Sequence, residues 1–282
     1  MEAKVISIIN QKGGVSKTTT ASLLAVALQR KGYKVLAIDT DSQGNMSSVL
    51  HACKDEESAF CLSDYMSKID VLEDDGTRRK ISLDDIIQHT EYADVIASSD
   101  KSSSAAEALD PSEKLFFMSE MIDELRSCYD FIIIDTGPSK DALIKNSLIA
   151  SDGVIIVTTS EEFSEDGILA VADTLVQARK PKLNPNLKLY GILLTKFQKN
   201  LKAHKAALDS TAQFAEAMGT EMLGVIRVDK NVNDSQGAFI PHSQRKFPDE
   251  KGIILFDYAP DSRAAQDYLE FTDRLLEQLK EE

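Results

Sequence analysis

At 282 residues, with 43% hydrophobic and 28% charged side chains and only 13 Gly and 7 Pro, the composition is that of a globular chain; it excludes a collagen-like, repetitive or wholly disordered one. No apolar run reaches membrane-spanning length, and MEAKVISII is too short and too acidic at its start for a secretory signal, so a cytoplasmic location is expected. A formal charge of −14 argues against a nucleic-acid coat protein, yet residues 179–251 hold 13 Lys and Arg against 7 Asp and Glu while the remainder holds 19 against 39, which permits a basic face.

In chain order, VISII (5–9) predicts a buried strand, then comes NQKGGVSKTTT (10–20), and a helix is expected over 17–31. KVLAID (34–39), DVIA (94–97), DFIIID (130–135), GVIIVT (153–158), LYGILLT (189–195) and GVIRV (224–228) read as further buried strands, and GIILF (252–256) as a short one. Helical patterns occupy 112–127, 140–150, 164–179, 201–218 and 262–280. Residues 53–110, rich in Asp, Glu and Ser, predict surface loops and short helices; 233–252 predicts a long loop with a basic knot. Strands alternating with apolar helices imply an α/β fold, a mostly parallel twisted sheet of about seven to eight strands with helices on both faces. No repeat or linker stands out, so a single domain over 1–282 is expected.

Cys53, Cys61 and Cys128, an odd set without Cys-x-x-Cys spacing, argue against a disulfide framework or a zinc site. His51, His89, His204 and His242 are too scattered to suggest metal ligation.

The stretch 10–20 lies between strand and helix, the context that a phosphate loop requires. The ordinary pattern G-x-x-x-x-G-K-[ST] nevertheless fails twice, because its glycines fall on Gln11 and Ser16. Gly13 and Gly14 allow the backbone to turn its amides inward, where they and the positive end of the helix beginning near Lys17 would bind phosphate oxygens. Lys17 would reach the β- and γ-phosphates and Thr18 would help to hold Mg²⁺. Asp39 and Asp41 at the end of the second strand, and Asp135 at the end of DFIIID, place three more carboxylates at strand C-termini.

NQKGGVSKTTTA, VLAIDTDSQGN and YDFIIIDTGPS resemble the three nucleotide motifs of the ParA/MinD branch of P-loop ATPases. The deviant Walker A form K-G-G-x-x-K-[ST] is met in full by Lys12, Gly13, Gly14, Val15, Ser16, Lys17 and Thr18, and does not need glycine at Gln11 or Ser16. Segments 98–109, 143–152 and 184–195 resemble ParA partition proteins in particular, and motif order matches from residue 3 to about 270. The resemblance implies ATP and Mg²⁺ as cofactors, with Gly13 to Thr19 around the phosphates and Thr19 near the α-phosphate. It implies that Lys12 crosses to the ATP of a partner subunit in a face-to-face homodimer. Lys17 and Thr18 serve the bound nucleotide, Asp41 positions the attacking water, and Asp39 and Asp135 support the metal shell.

Three departures stand out. Ser16 replaces the glycine most common before the lysine, Gly137 stands where proline often follows Walker B, and GVIRVDKN lacks the usual I-P-R. The strand end Thr195-Lys196-Phe197-Gln198 lacks the N-K-x-D of guanine readers, so adenine is expected.

The resemblance further implies a dimer on non-specific double-stranded DNA, associated with the nucleoid and released by a ParB-like centromere-binding protein. Lys196, Lys199, Lys202, Lys205, Arg227, Lys230, Arg245 and Lys246 are the candidate DNA contacts, and phosphate contacts of this kind would be steeply salt-dependent. The first strand begins close to Met1, so no N-terminal helix-turn-helix extension is expected. A MinD-like membrane role would need a basic amphipathic tail, whereas YLEFTDRLLEQLKEE is acidic on its polar side and its Leu269, Leu275, Leu276 and Leu279 suit core packing. An iron–sulfur reductase would need cysteines that DTGPSKD lacks. Positioning of another cargo by the same cycle is the alternative.

Overall fold

The computed structural model describes residues 2–52, 59–73, 75–111, 113–138, 142–161, 165–237 and 253–281. From the N-terminus, β1 (Lys4–Ile9) leads through the glycine loop to α1 (Lys17–Arg30) and β2 (Val35–Asp39). Short elements follow: α2 (Asn45–Val49), α3 (Leu62–Met66), the hairpin of β3 (Asp70–Leu72) and β4 (Arg78–Lys80), α4 (Leu83–Ile86), β5 (Ile87–His89), β6 (Asp94–Ile96) and α5 (Ser102–Ala108). Longer elements then alternate: α6 (Phe117–Leu125), β7 (Phe131–Asp135), α7 (Ala142–Ala150), β8 (Gly153–Thr159), α8 (Glu165–Ala178), β9 (Lys188–Phe197), α9 (Lys202–Ala217) and β10 (Met222–Arg227). The chain closes with α10 (Lys230–Gly237), α11 (Leu255–Tyr258) and α12 (Arg263–Lys280).

Eight strands form one sheet in the order β10-β9-β8-β1-β7-β2-β6-β5, and every pairing is parallel except β5 on β6. The expected α/β class and strand number hold. Alternation sorts the side chains between the two faces of the sheet. Ile6, Ile8, Ala37 and Ile133 join α1 and α12 on one face. Val5, Leu36, Ile38, Ile132 and Ile134 meet Met118 and Ile122 of α6 and Leu143 of α7 on the other. Continuing this alternation carries Asp39 and Asp135 onto the α1 face, where β2 and β7 place them in direct register.

α12 buries Ala264, Ala265, Tyr268, Phe271, Leu275 and Leu276 against this core, packing on α1 and β10 as its amphipathic pattern suggests. Leu269 is 37% exposed and Leu279 only packs at the margin.

Two expectations need correction. The described part of the apolar run 252–256 turns into the helix α11 instead of pairing with the sheet, with Ile254, Leu255 and Phe256 buried in the α1–α12 core. Arg30 fixes it from α1 by pairing with Asp257 and stacking over the Phe256 ring at 5.6 Å. The helix expected over 112–127 begins only at Phe117, after turns through the described residues before it. The predicted loop over 233–252 lies outside the described residues beyond the end of α10.

Close packing of β8 on β9 requires a glycine. A Cβ on Gly153 would lie 2.3 Å from Cε2 of Tyr190, a ring that is itself only 1% exposed. Gly153→Ala is therefore expected to destabilise the fold by about 2 kcal/mol, the usual scale of core overpacking, as a lower urea midpoint at unchanged slope.

Candidate functional site

The loop from Asn10 to Ser16 is held from both ends. Asn10 donates to the Val157 carbonyl of β8 at 2.7 Å and accepts the Lys12 amide at 2.9 Å. Gln11 reaches α8, donating to the Ala170 carbonyl and to the Thr174 hydroxyl. Gly14 (φ 77°) and Ser16 (φ 71°) are both left-handed. That conformation is free for glycine and strained for serine, which explains why glycine suits the position before Lys17. Ser16 caps α1 without a side-chain hydrogen bond, leaving the first-turn amides to be met by an anion. Gly13 and Gly14 are exposed, whereas Val15 is buried and anchors the loop.

Lys17 is 6% exposed and donates to the Lys12 carbonyl at 3.0 Å. Burial lowers its pKa, while Asp135 and then Asp41 pull it up. Thr18 is half-buried and Thr19 buried on the same first turn. Lys12 is half-buried.

Asp39 and Asp135 are fully buried. Their environments differ. Asp39 is saturated by the Ser47 amide and hydroxyl at 2.8 and 2.7 Å and by the Asp41 amide at 3.1 Å. Desolvation outweighs these donors and raises its pKa to about 6. For Asp135, desolvation and then the Asp39 charge raise the pKa well above the usual carboxylate range, although the Thr18 hydroxyl and Lys17 favour ionisation. Among the described residues neither Asp135 oxygen has a partner of ordinary hydrogen-bond geometry. A buried carboxylate left in that state suits a cation. Asp39 ties the Asp41 amide and, through Ser47, α2 to the end of β2.

Among the described residues no three His, Cys, Asp or Glu side chains converge on a metal-sized point. That fits Mg²⁺, which binds through one or two carboxylates together with phosphate and water, better than a closed protein cage. Asp41 lies half-buried at the rim, its Oδ1 accepting the Gln43 amide at 3.1 Å. A Cβ on the buried Gly137 would sit 3.4 Å from Asp41 Cγ, so these two segments are already in contact distance.

The basic candidates separate. Lys199, Lys202, Lys205 and Lys230 are exposed around the β9–α9 turn and the start of α10. They share the carboxyl end of the sheet with the glycine loop because β9 and β10 are parallel neighbours. Arg227 is committed elsewhere: its guanidinium and its amide all bond the buried Asp267 of α12, at 2.6 to 3.1 Å. Lys196 reaches the glycine loop itself, donating to the Gly14 carbonyl at 2.7 Å. Arg245 and Lys246 lie outside the described residues. Asn10, Gln11, Ser47 and Thr195 also line the site without belonging to the predicted set; for Asn10, Gln11 and Thr195 the hint is a polar side chain at the end of an apolar strand or in the turn that follows it, whereas Ser47, inside α2, carries no such signal.

The buried pair yields a pH signature. Carboxylates whose folded pKa is raised favour folding below the unfolded value of about 4, and that contribution is lost as pH rises through the folded value, about 6 for Asp39. In metal-free buffer Asp135→Asn should raise stability at pH 7.5 and lose that advantage near pH 4, because the raised carboxyl costs stability only where it must ionise. Chemical denaturation at both pH values measures it.

The AAA domain family model matches residues 3–189. The chromosome partitioning protein ParA of Myxococcus xanthus is 31% identical over 272 residues, 94% of this chain and 85% of that protein. Cobyrinic acid a,c-diamide synthase of Mycobacterium smegmatis, solved with an ATP analogue and magnesium, superposes with a TM-score of 0.74 at 23% identity, covering 99% of this chain and 96% of that one. A Cyanothece McdA variant in complex with ATP gives 0.73 at 20% identity, covering 98% and 97%. These two structures share the fold; the glycine loop and the near full-length likeness to the Myxococcus protein go further. The chain belongs to the ParA family of P-loop ATPases.

Proposed function

We propose that this chain is a DNA-partition ATPase. ATP closes two copies into a sandwich dimer, the dimer holds double-stranded DNA without regard to sequence, and a ParB-like centromere-binding partner releases it by stimulating hydrolysis. One juxtaposition supports the reading: a K-G-G-x-x-K loop beside a buried carboxylate without a regular hydrogen-bond partner among the described residues, joined through β9 to an exposed cationic rim at the same end of the sheet. Nucleoid association follows from that rim, and no described helix is long and apolar enough to cross a membrane.

Each residue has a physical task. The first-turn amides of α1 and the Lys17 ammonium take the charge of the β- and γ-phosphates. Lys12 lends its cation to the ATP of the other subunit, stabilising charge that builds up during phosphoryl transfer. Asp41, fixed through its amide on Asp39, orients the attacking water. Thr18 and Asp135 would hold Mg²⁺, which neutralises charge on the β- and γ-phosphate oxygens when bound. The base is adenine, since the β9 end lacks the carboxylate that guanine requires.

The test is DNA binding with ATP, with ADP and without nucleotide, over a salt series. Binding should require ATP, ignore sequence, and fall linearly in log K against log salt; equal binding without nucleotide refutes the proposal. Lys12→Ala is expected to keep measurable ATP binding yet remain monomeric in size-exclusion with ATP. Asp41→Ala should accumulate as an ATP-bound, DNA-competent dimer, with single-turnover hydrolysis slowed by about a hundredfold or more, the scale of a lost general-base function.

A further inference from the structure

The end of β9 is irregular just where it meets the glycine loop. In its pairing with β10 the register steps from Leu194↔Val225 to Phe197↔Arg227, so Thr195 and Lys196 together face the single residue Ile226. Lys196 is left-handed at φ 53°, an uncommon conformation for a residue with a side chain, and doubly so inside a strand. Such bulges re-aim side chains beside active sites, and strained residues of this kind cluster there. Here the re-aimed side chain is identified by its partner. The exposed Lys196 ammonium donates to the Gly14 carbonyl at 2.7 Å, while the buried Thr195 hydroxyl shares its proton between the next carbonyl, Val15, at 3.0 Å and the Thr158 carbonyl of β8 at 3.1 Å.

Two adjacent peptide planes are therefore held by two adjacent residues of a rigid strand. In a trans peptide the carbonyl and the following N–H point in opposite directions. Holding the Gly14 and Val15 oxygens toward β9 turns the amide hydrogens of Val15 and Ser16 away from it. Those are loop amides of the sort that meet phosphate oxygens. We infer that Thr195 and Lys196 are positioning residues that preset the Val15 and Ser16 amides for nucleotide phosphate, and that Lys196 belongs to the nucleotide site and not to the DNA-contacting rim. The inference rests on the assignment of the glycine loop to nucleotide.

Positioning and direct attraction differ in their ligand dependence. A lysine that attracts the γ-phosphate directly favours ATP over ADP; one that orients loop amides serves both alike. Calorimetric titration of Lys196→Met with ADP and with a non-hydrolysable ATP analogue should show both affinities reduced about tenfold, the scale of one lost charge-assisted hydrogen bond. The KM for ATP should rise to match, with kcat within about twofold of wild type. Lys196→Arg keeps a cationic donor and should recover most of the affinity. Lys196→Gly removes the side chain while easing the left-handed backbone, so it keeps the fold and should reproduce the loss. Thr195→Val should shift affinity in the same direction, and DNA affinity of the ATP-saturated Lys196→Met protein should stay near wild type.

Wild-type affinity for ADP in both Lys196→Met and Lys196→Gly overturns the inference, as does a loss confined to the ATP analogue or a fall in kcat at constant KM. Wild-type protein that binds neither nucleotide overturns the nucleotide assignment and this inference with it. Wild-type protein that binds both, beside variants of equal affinity, overturns this inference alone.

Discussion

Unbalanced charge at the carboxyl end of the central strands is the constraint from which the rest of the architecture follows. Asp39 and Asp135 lie side by side with no exposure to water, and Lys17 is the buried cation beside them. Burial of this kind is costly unless each charge is answered. Asp39 is answered by Ser47 and by the Asp41 backbone, whereas Asp135 has only the Thr18 hydroxyl and the Lys17 charge to set against its burial among the described residues. A few residues away, the loop and the start of α1 present the opposite demand, amides without an anion. A single ligand that carries both a divalent cation and a chain of phosphates answers the two demands together, which is why cofactor and protein are best understood as one electrostatic unit.

Strand order determines what that unit can influence. β1 sits between β7 and β8, so its end is bonded by Thr136 after β7 on one side and the loop that leaves it is held by the β8–β9 pair on the other. Parallel strands all end at the same edge, and everything that follows them is gathered there. The cationic rim after β9 and β10 and the glycine loop are thus neighbours by topology. A change in the loop has a short, hydrogen-bonded route to that rim through Thr195 and Lys196.

Much of this was legible in the sequence, for definable reasons. Apolar, β-branched runs marked seven of the strands because burial on both faces leaves no polar alternation to confuse them, and K-G-G-x-x-K identified the loop because few other arrangements need that spacing. What escaped was what only tertiary contact decides. Five apolar residues at 252–256 carry no period, and the α1–α12 core, with Arg30 at its edge, turned the described part of them into α11. The three-residue strands β3, β4 and β5 arise in a polar stretch whose composition reads as loop. Arg227 and Lys196 were grouped with the DNA candidates on charge alone. The carboxylate that engages Arg227 lies 40 residues further along the chain, and the bulge that redirects Lys196 leaves no trace in composition.

The margins of the sheet carry a consequence of their own. At one border β5 is only three residues long and runs against its neighbour, and at the other β10 is interrupted by two register shifts and packs under α12. Neither border presents the long, flat row of unpaired backbone groups on which a foreign strand could template itself. Along these two described borders edge-to-edge strand pairing between copies is disfavoured, which leaves side-chain surfaces as the means by which copies would meet.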